Sequence, residues 1–187
     1  MKAFPSVEFS SSEPASNAPA YINKAQSFKV IAVSTGAQQW QGNIASAWER
    51  MPKARALWAF LNARGENETF PLVLPIHSTP NGAVNGAVNT TGALVTGTNT
   101  VTFTNYEPMA GDFFKFVGHS KVYQVEDATN NTAIFYPKLI KSVVVNELVV
   151  VTNVPFLVRR IGAVQSMPTN KKSLAKVKFK WEEVINA

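Results

Sequence analysis

The sequence contains no cysteine, so neither disulfide bonds nor thiolate metal sites can contribute to its structure. Only two histidines are present, and neither belongs to a His-x-x-x-His pair or to a recognisable catalytic motif. The glycine-rich segment 82–92 lacks the spacing and the following lysine of a phosphate-binding loop. We therefore expect no catalytic residue, no metal site and no cofactor, and we expect the protein not to be an enzyme.

Long apolar runs are missing as well. Runs such as 148–151 are far shorter than the roughly 20 residues that span a bilayer, so we expect no membrane insertion. Residues 1–5 lack the apolar core of an export signal, and together with the missing cysteine this predicts folding in a reducing cytoplasm. Charged residues make up 16% of the chain, yet the net charge of +6 favours an acidic partner such as nucleic acid, a membrane surface or an acidic protein face.

Strand signals are abundant in residues 106–139. Segments rich in Val, Phe, Tyr and Ile are separated by Gly, Pro, Asn and Asp, and His119 lies in a tight turn where we expect it to be solvated. This pattern is typical of a small closed β-barrel. Phe114 and Phe116 share one strand face and are predicted to be core, which leaves Phe113 and Lys115 exposed or at a partner interface.

One helix is predicted between residues 52 and 64. Pro52 suits the first helical position, and Gly65 suits a left-handed residue after the last turn. The apolar residues at helical spacing, which we expect to pack against a sheet, are Ala54, Leu57, Trp58 and Leu61. Alternation around Trp40 predicts a half-buried strand, and residues 70–76 predict a short edge strand interrupted by prolines.

The C-terminal segment alternates apolar residues at 175, 177, 179 and 181 with Lys176, Lys178 and Lys180. A charged stripe on a core strand needs no function, but these lysines are also candidates for contact with a subunit or an acidic partner. Trp40 and Phe179 are predicted to pack the core. Residues 143–145 and 148–151 flank Asn-Glu and predict a hairpin.

The fold class that follows is mainly β, with a β-sandwich-like domain that contains one α-helix and carries an inserted small OB-like β-barrel. The sandwich domain is predicted to be discontinuous, formed by residues 28–77 and 154–187. Residues 78–153 form the insert, and its start is marked by a doubled Asn-Gly-Ala-Val unit. Residues 1–27 are predicted to be an N-terminal arm, either a frayed terminus or a segment that orders on a neighbouring subunit.

An ordered set of short motifs resembles the distal tail proteins of long-tailed (siphovirus-type) bacteriophages, in the variant with an OB-like insert. Residues 37–45, Ala-Gln-Gln-Trp-Gln-Gly-Asn-Ile-Ala, resemble the family's Ala-Gln-x-Trp strand, and a helix and the apolar strand 70–75 follow in the same order. Residues 109–125 resemble the insert's "Ala-Gly-Asp … His-x-Lys-Val-Tyr" hairpin, and residues 135–139, Phe-Tyr-Pro-Lys-Leu, resemble its continuation. The likeness covers most of residues 28–160.

The resemblance implies a structural virion protein that forms a hexameric ring at the distal end of the tail. One face of the ring would meet the tail tube protein and the other the hub or fibre proteins, and DNA would pass through the lumen without sequence-specific binding. The expected location is the virion tail, after folding in the host cytoplasm. An alternative function is an OB-fold module that binds single-stranded nucleic acid or carbohydrate. A cytoplasmic hydrolase would need a nucleophile that the sequence does not show.

Overall fold

The computed structural model describes residues 4–24, 30–34, 36–164, 166–170 and 172–185. The described chain is mainly β with one helix, which confirms the predicted fold class. The strands of the first half are β1 Phe9–Asn17, β2 Ala20–Lys24, β3 Val30–Ser34, β4 Gln39–Ser46, β5 Glu49–Arg50, β6 Thr69–Val73 and β7 Ala83–Val84. The remaining strands are β8 Thr100–Thr102, β9 Tyr106–Glu107, β10 Phe113–Phe116, β11 Tyr123–Thr129, β12 Thr132–Tyr136, β13 Val149–Val150, β14 Pro155–Ile161, β15 Leu174–Ala175 and β16 Lys178–Glu183.

The larger sheet is antiparallel and has the strand order β1-β4-β16-β14-β6. It joins strands that are more than 130 residues apart in sequence, because β16 pairs with β4 in register Phe179↔Ile44. Both edge strands contain a proline, Pro14 in β1 and Pro71 in β6. Proline is tolerated in sheets at edge positions, where its missing N–H faces away from the neighbouring strand.

The helix α1 spans Met51–Ala63 with Pro52 in its first turn, as predicted. It ends differently from the prediction, because Arg64 is already extended and Gly65 does not take a left-handed conformation. Four helix residues face the core, namely Ala54, Leu57, Phe60 and Leu61. The prediction for Trp58 was wrong: its side chain is 40% exposed, because it lies on the flank of the apolar stripe that Phe60 completes.

The N-terminal arm is held by the same chain. Strand β1 pairs with β4 from Phe9↔Ser46 to Asn17↔Gln39, so its residues are ordered by the sheet and neither reading of the arm describes them. The approach of β1 is close at Gly42, where an added Cβ would lie 2.3 Å from the carbonyl oxygen of Glu13. Glycine is therefore required at this point of β4.

The second sheet lies within residues 78–153 and has the order β13-β10-β11-β12-β8. The segment 88–90 is bonded to both of its edges: the amide of Val149 donates to the carbonyl of Val88, and the amide of Thr104 donates to the carbonyl of Asn89, each at 2.8 Å. The predicted hairpin across residues 143–151 was wrong. Val143 pairs with Leu94 instead, and Val149 pairs with Phe116, because the left-handed Asn146 turns the chain between two different neighbours.

Two hydrophobic cores follow from these two sheets. The first core lies between the larger sheet and α1, and it buries Trp40 and Phe179 as predicted. The second core is drawn wholly from residues 88–151 and contains Phe114, Phe116 and four further aromatic residues, Phe103, Tyr106, Tyr123 and Phe135. Phe114 and Phe116 are thus core, as predicted. The OB-like identity of this unit and the exact domain bounds stay predictions.

Candidate assembly interface

Two of the three C-terminal lysines occupy the face of the larger sheet that points away from the first core. Lys178 and Lys180 are exposed on β16, whereas Lys176 precedes that strand and is half-buried. Lys180 lies opposite Asn43 of β4, and Asn43 lies opposite Glu13 of β1, so these three side chains form one row across the sheet. The predicted alternation of charged and apolar residues is therefore present at Lys178 and Lys180.

A second row on this face is also polar. It contains Gln41 of β4, Glu182 of β16 and Arg159 of β14, in direct register. The guanidinium of Arg159 pairs with the carboxylate of Glu182. Such a half-exposed pair contributes little to stability, but it keeps this sheet face polar. We call the face formed by these two rows the open face.

Phe113 is not at a partner interface within the described structure, and that part of the prediction was wrong. Its ring is 4% exposed. It packs edge-on against Trp40 at a centroid distance of 5.1 Å and against Phe156 at 5.5 Å. Adjacent strand residues point to opposite faces, so Phe114 enters the second core while Phe113 enters the first. Phe113 therefore joins the two units of the same chain.

Lys115, the other predicted interface residue of β10, is half-buried and lies opposite Val150 of β13. Because it shares a strand face with Phe113, it also points towards the first unit. Burial lowers the pKa of its ammonium group, while the nearby charge of Glu183 acts in the opposite direction. Its position is at the edge of the junction between the units.

The centre of that junction is a buried ion pair. Lys121 and Glu183 are both fully buried, and the Nζ atom of Lys121 lies 2.5 Å from a carboxylate oxygen of Glu183. The same carboxylate accepts hydrogen bonds from the backbone N–H of Val122 at 2.7 Å and of Trp40 at 3.2 Å. The indole N–H of Trp40 donates to the carbonyl of Val122 at 2.9 Å. The insert is thus tied to β4 and β16 by polar contacts within an apolar surrounding.

Burial favours the uncharged form of both Lys121 and Glu183. It lowers the pKa of Lys121 from 10.5 to about 8, and the Glu183 carboxylate limits this fall. It raises the pKa of Glu183, and Lys121 with its hydrogen bond limits that rise. A pair of this kind fixes one arrangement of its surroundings more than it adds stability, because desolvation opposes the attraction.

The lowered pKa of Lys121 predicts a pH effect. Between about pH 8 and 10.5 the unfolded chain binds more protons at this residue than the folded chain, so raising the pH favours folding. In a Lys121→Met variant this gain is absent. The wild type should therefore gain about 1 kcal/mol in the free energy of unfolding, relative to Lys121→Met, between about pH 7 and about pH 9. Urea titrations at the two pH values measure this difference. If the difference between the two proteins became smaller as the pH rises, the lowered pKa of Lys121 would be contradicted.

The two histidines have different surroundings. The prediction of a solvated His119 was wrong, since it is 6% exposed and packs on Phe116 with ring centroids 5.1 Å apart. Its Nδ1 atom lies 3.1 Å from the hydroxyl of Tyr123, and burial lowers its pKa. His77 lies 3.3 Å from the carbonyl of Ser12 and so connects the end of the first segment to β1.

Several exposed apolar side chains belong to strands β2 and β3, which form a two-stranded sheet of their own. We call this element the outer hairpin; it continues the β1–β4 pair beyond the edge of the larger sheet. All five residues of β2 are exposed. The large apolar side chains are Tyr21 at 77%, Ile22 at 66% and Val33 at 57% exposure. Such a surface on a protruding element is typical of an interaction site.

The charge is distributed unevenly between the two units. Residues 78–153 carry four lysines and five acidic residues, which is a net charge of −1. The total net charge is +6, so the rest of the chain has a net charge of +7. The positive potential that composition predicts therefore belongs to the unit that contains the open face and the outer hairpin. The insert has no excess positive charge with which to attract nucleic acid.

No protein-family model matches this chain, and no curated protein matches it. Among the described residues, no group of three or more metal-ligating side chains could hold a metal ion. In the same part of the chain, no helix has the length and apolar character needed to cross a membrane.

Sequence reasoning missed the outer hairpin and the Lys121–Glu183 pair. The hairpin was missed because the polar residues and prolines before residue 20 suggested a tail. An apolar β-branched run at 30–33 facing a Tyr-Ile pair at 21–22 was the available signal. No local sequence pattern could indicate the ion pair, because Lys121 and Glu183 are 62 residues apart.

Proposed function

We propose that this chain is a structural subunit of a ring at the distal end of a phage tail, where it joins the tail tube to the hub or fibre and leaves a lumen for DNA. The assignment to a tail comes from the ordered motifs that resemble distal tail proteins. The observation that carries an assembly role is the outer hairpin, which exposes Tyr21, Ile22 and Val33 beyond the parent sheet. A monomer rarely leaves such a surface uncovered.

The sheet edges support assembly through the hairpin rather than through added strands. Pro14 and Pro71 lie in the two edge strands of the larger sheet, where each lacks an amide donor that a further strand would need. The open face is polar and suits a surface in contact with water or with polar groups of a neighbour. Ring closure follows when one surface of a copy binds a different surface of the next and the rotation closes.

The binding alternative has less support. Aromatic side chains that would stack nucleobases, Phe113, Phe114 and Phe116, are all buried in the two cores. The insert also lacks excess positive charge. The ring is therefore the function that we retain.

The experiment for the ring is light scattering on a sizing column, followed by negative-stain imaging of the same peak. A six-fold particle with an open lumen is the expected result. Because closure can depend on the tail, the same protein is also incubated with assembled tail tubes and sedimented. A protein that remains monomeric at high concentration and does not sediment with tubes would contradict the proposal.

The exposed lysines provide a mutational test of assembly. Replacing Lys176, Lys178 and Lys180 together by glutamine should change the free energy of unfolding by no more than about 1 kcal/mol, because Lys178 and Lys180 are exposed and Lys176 is only half-buried. Assembly should weaken, because the positive side chains of the open face would be lost. The measurements are urea titration and the amount of ring on the sizing column.

A matched control removes three positive charges elsewhere, at Arg50, Lys53 and Arg55, which are exposed. It should assemble as the wild type does. Wild-type assembly of the Lys176, Lys178 and Lys180 variant would exclude these lysines from the interface.

A further inference from the structure

The doubled Asn-Gly-Ala-Val unit at the start of the insert places one reactive dipeptide in two different surroundings. The chain contains two Asn-Gly pairs, Asn81-Gly82 and Asn85-Gly86. In such a pair the backbone nitrogen of the glycine can attack the side-chain amide of the asparagine, because glycine has no Cβ to obstruct the approach. The reaction requires an accessible asparagine and a glycine nitrogen that can lose its proton. Local structure therefore decides which pair reacts.

The first pair is bound by the carboxylate of Asp112, which is 2% exposed. The amide of Asn81 donates to one carboxylate oxygen at 2.7 Å, and the amide of Gly82 donates to the other at 3.1 Å. The hydroxyl of Tyr106 donates to the same carboxylate at 2.8 Å and fixes its position. A negative charge next to the Gly82 amide disfavours loss of its proton. Attack by this nitrogen would also break a hydrogen bond to a charged acceptor, so the first pair is protected.

The second pair lacks these restraints. Asn85 and Gly86 are both exposed. In the described part of the chain the amide of Gly86 makes no hydrogen bond. Gly86 has a φ angle of 130°, and a Cβ built on it would lie 3.8 Å from its nearest neighbour outside the adjacent residues, Nδ2 of Asn105. The attacking nitrogen of the second pair is thus neither bound nor crowded.

We propose that Asn85 is a site of spontaneous deamidation and that Asn81 is protected from it by Asp112. The nitrogen of Gly86 forms a bond to Cγ of Asn85, and the bond between Cγ and Nδ2 breaks. Ammonia leaves with the proton of the Gly86 amide, and a cyclic imide remains. Water then opens either of the two C–N bonds of the imide, which yields aspartate or isoaspartate. The inference does not depend on the proposed ring.

Both products change the insert. Each replaces a neutral amide by a carboxylate and so adds one negative charge to a unit whose net charge is −1. Isoaspartate also adds a methylene to the main chain between two hydrogen-bonded points. The amide of Asn85 donates to the carbonyl of Asn105 at 2.9 Å, and Nδ2 of Asn105 donates to the carbonyl of Ala87 at 3.0 Å. A longer main chain changes the spacing of these two bonds, so we expect β7 to be less firmly attached to β9.

The test compares the two pairs within one folded protein. The full chain is incubated in mildly alkaline buffer, digested under acidic conditions and analysed by tandem mass spectrometry, which distinguishes Asn81 from Asn85. Asn85 should be converted at least about tenfold faster, a ratio that corresponds to about 1.4 kcal/mol in activation free energy. Enzymatic methylation of isoaspartate identifies one of the two products.

Two controls make the comparison specific. In urea the contacts with Asp112 are absent, and the two pairs should react at similar rates because both read Asn-Gly-Ala-Val. Asn85→Gln should abolish the fast reaction of the folded chain, because its longer side chain would have to close a larger ring. The slow reaction at Asn81 should be unchanged in this variant.

A rate ratio that is present in the folded chain and disappears in urea supports the proposal. Equal rates at Asn81 and Asn85 in the folded chain would overturn it, as would an Asn85 that stays intact until the chain is unfolded. A ratio that persists in urea would show that adjacent residues, and not Asp112, protect Asn81, and the proposed protection would then be wrong.

Discussion

Replacing Lys121 by methionine should lower the free energy of unfolding by about 3–5 kcal/mol, the range found when one partner of a buried ion pair is removed. Methionine fills a similar volume, so the loss does not come from a cavity. It comes from the Glu183 carboxylate, which stays fully buried with only the backbone amides of Val122 and Trp40 as donors. Urea denaturation followed by tryptophan fluorescence measures the change.

Two further variants make this expectation specific. Lys178→Met removes an exposed lysine from the strand that also carries Glu183, and it should change stability by no more than about 0.5 kcal/mol. A Lys121→Met and Glu183→Gln double variant should recover more than half of the loss, because the buried charge is gone and an acceptor for Val122 remains. Equal losses in the single and double variants would show that the ion pair is not the cause.

Local patterns were enough to predict some of the regular elements of the first unit. Alternation around Trp40 predicts β4, and Pro52 with the apolar stripe predicts α1, because both signals depend on neighbouring residues only. Trp58 was misplaced because helical spacing alone cannot tell the centre of an apolar stripe from its flank. Phe60 lies closer to the centre and is buried at 5% exposure.

The candidate interface could be predicted only in part. Lys178 and Lys180 lie on the open face, as their alternation with Phe179 and Trp181 predicts. Phe113 was assigned to the outside because a strand in a single barrel has one buried face. The strand β10 lies between two cores, so both of its faces are buried, and this arrangement depends on contacts with Trp40 and Phe156 that are distant in sequence.

The same long-range contacts explain why the outer hairpin escaped prediction. The end of β1 pairs with residue 39, and β2 pairs with β3. A strand that is fully exposed on both faces has no apolar alternation to reveal it. Its order depends on backbone pairing and on whatever covers its apolar side chains, for which we propose a second copy.

The junction between the units also gives the second large expected effect. Phe113→Ala should lower the free energy of unfolding by about 3–5 kcal/mol, because it removes a ring that is 4% exposed and leaves a cavity between Trp40 and Phe156. If Phe113 were an exposed interface residue instead, the same change would affect assembly and leave folding almost unaltered. Urea titration of the purified variant distinguishes the two.

Lys115→Ala is the matched control for Phe113→Ala, because it truncates the half-buried residue on the same face of β10. Lys115→Ala should lower the free energy of unfolding by about 1 kcal/mol or less. Burial already disfavours the charged form of this ammonium group, so removing the group costs little. A loss in Phe113→Ala that is no larger than that of the control would mean that the two units do not depend on this ring. A large loss would show that the contacts of Phe113 with Trp40 and Phe156 stabilise the packing of the insert on the larger sheet.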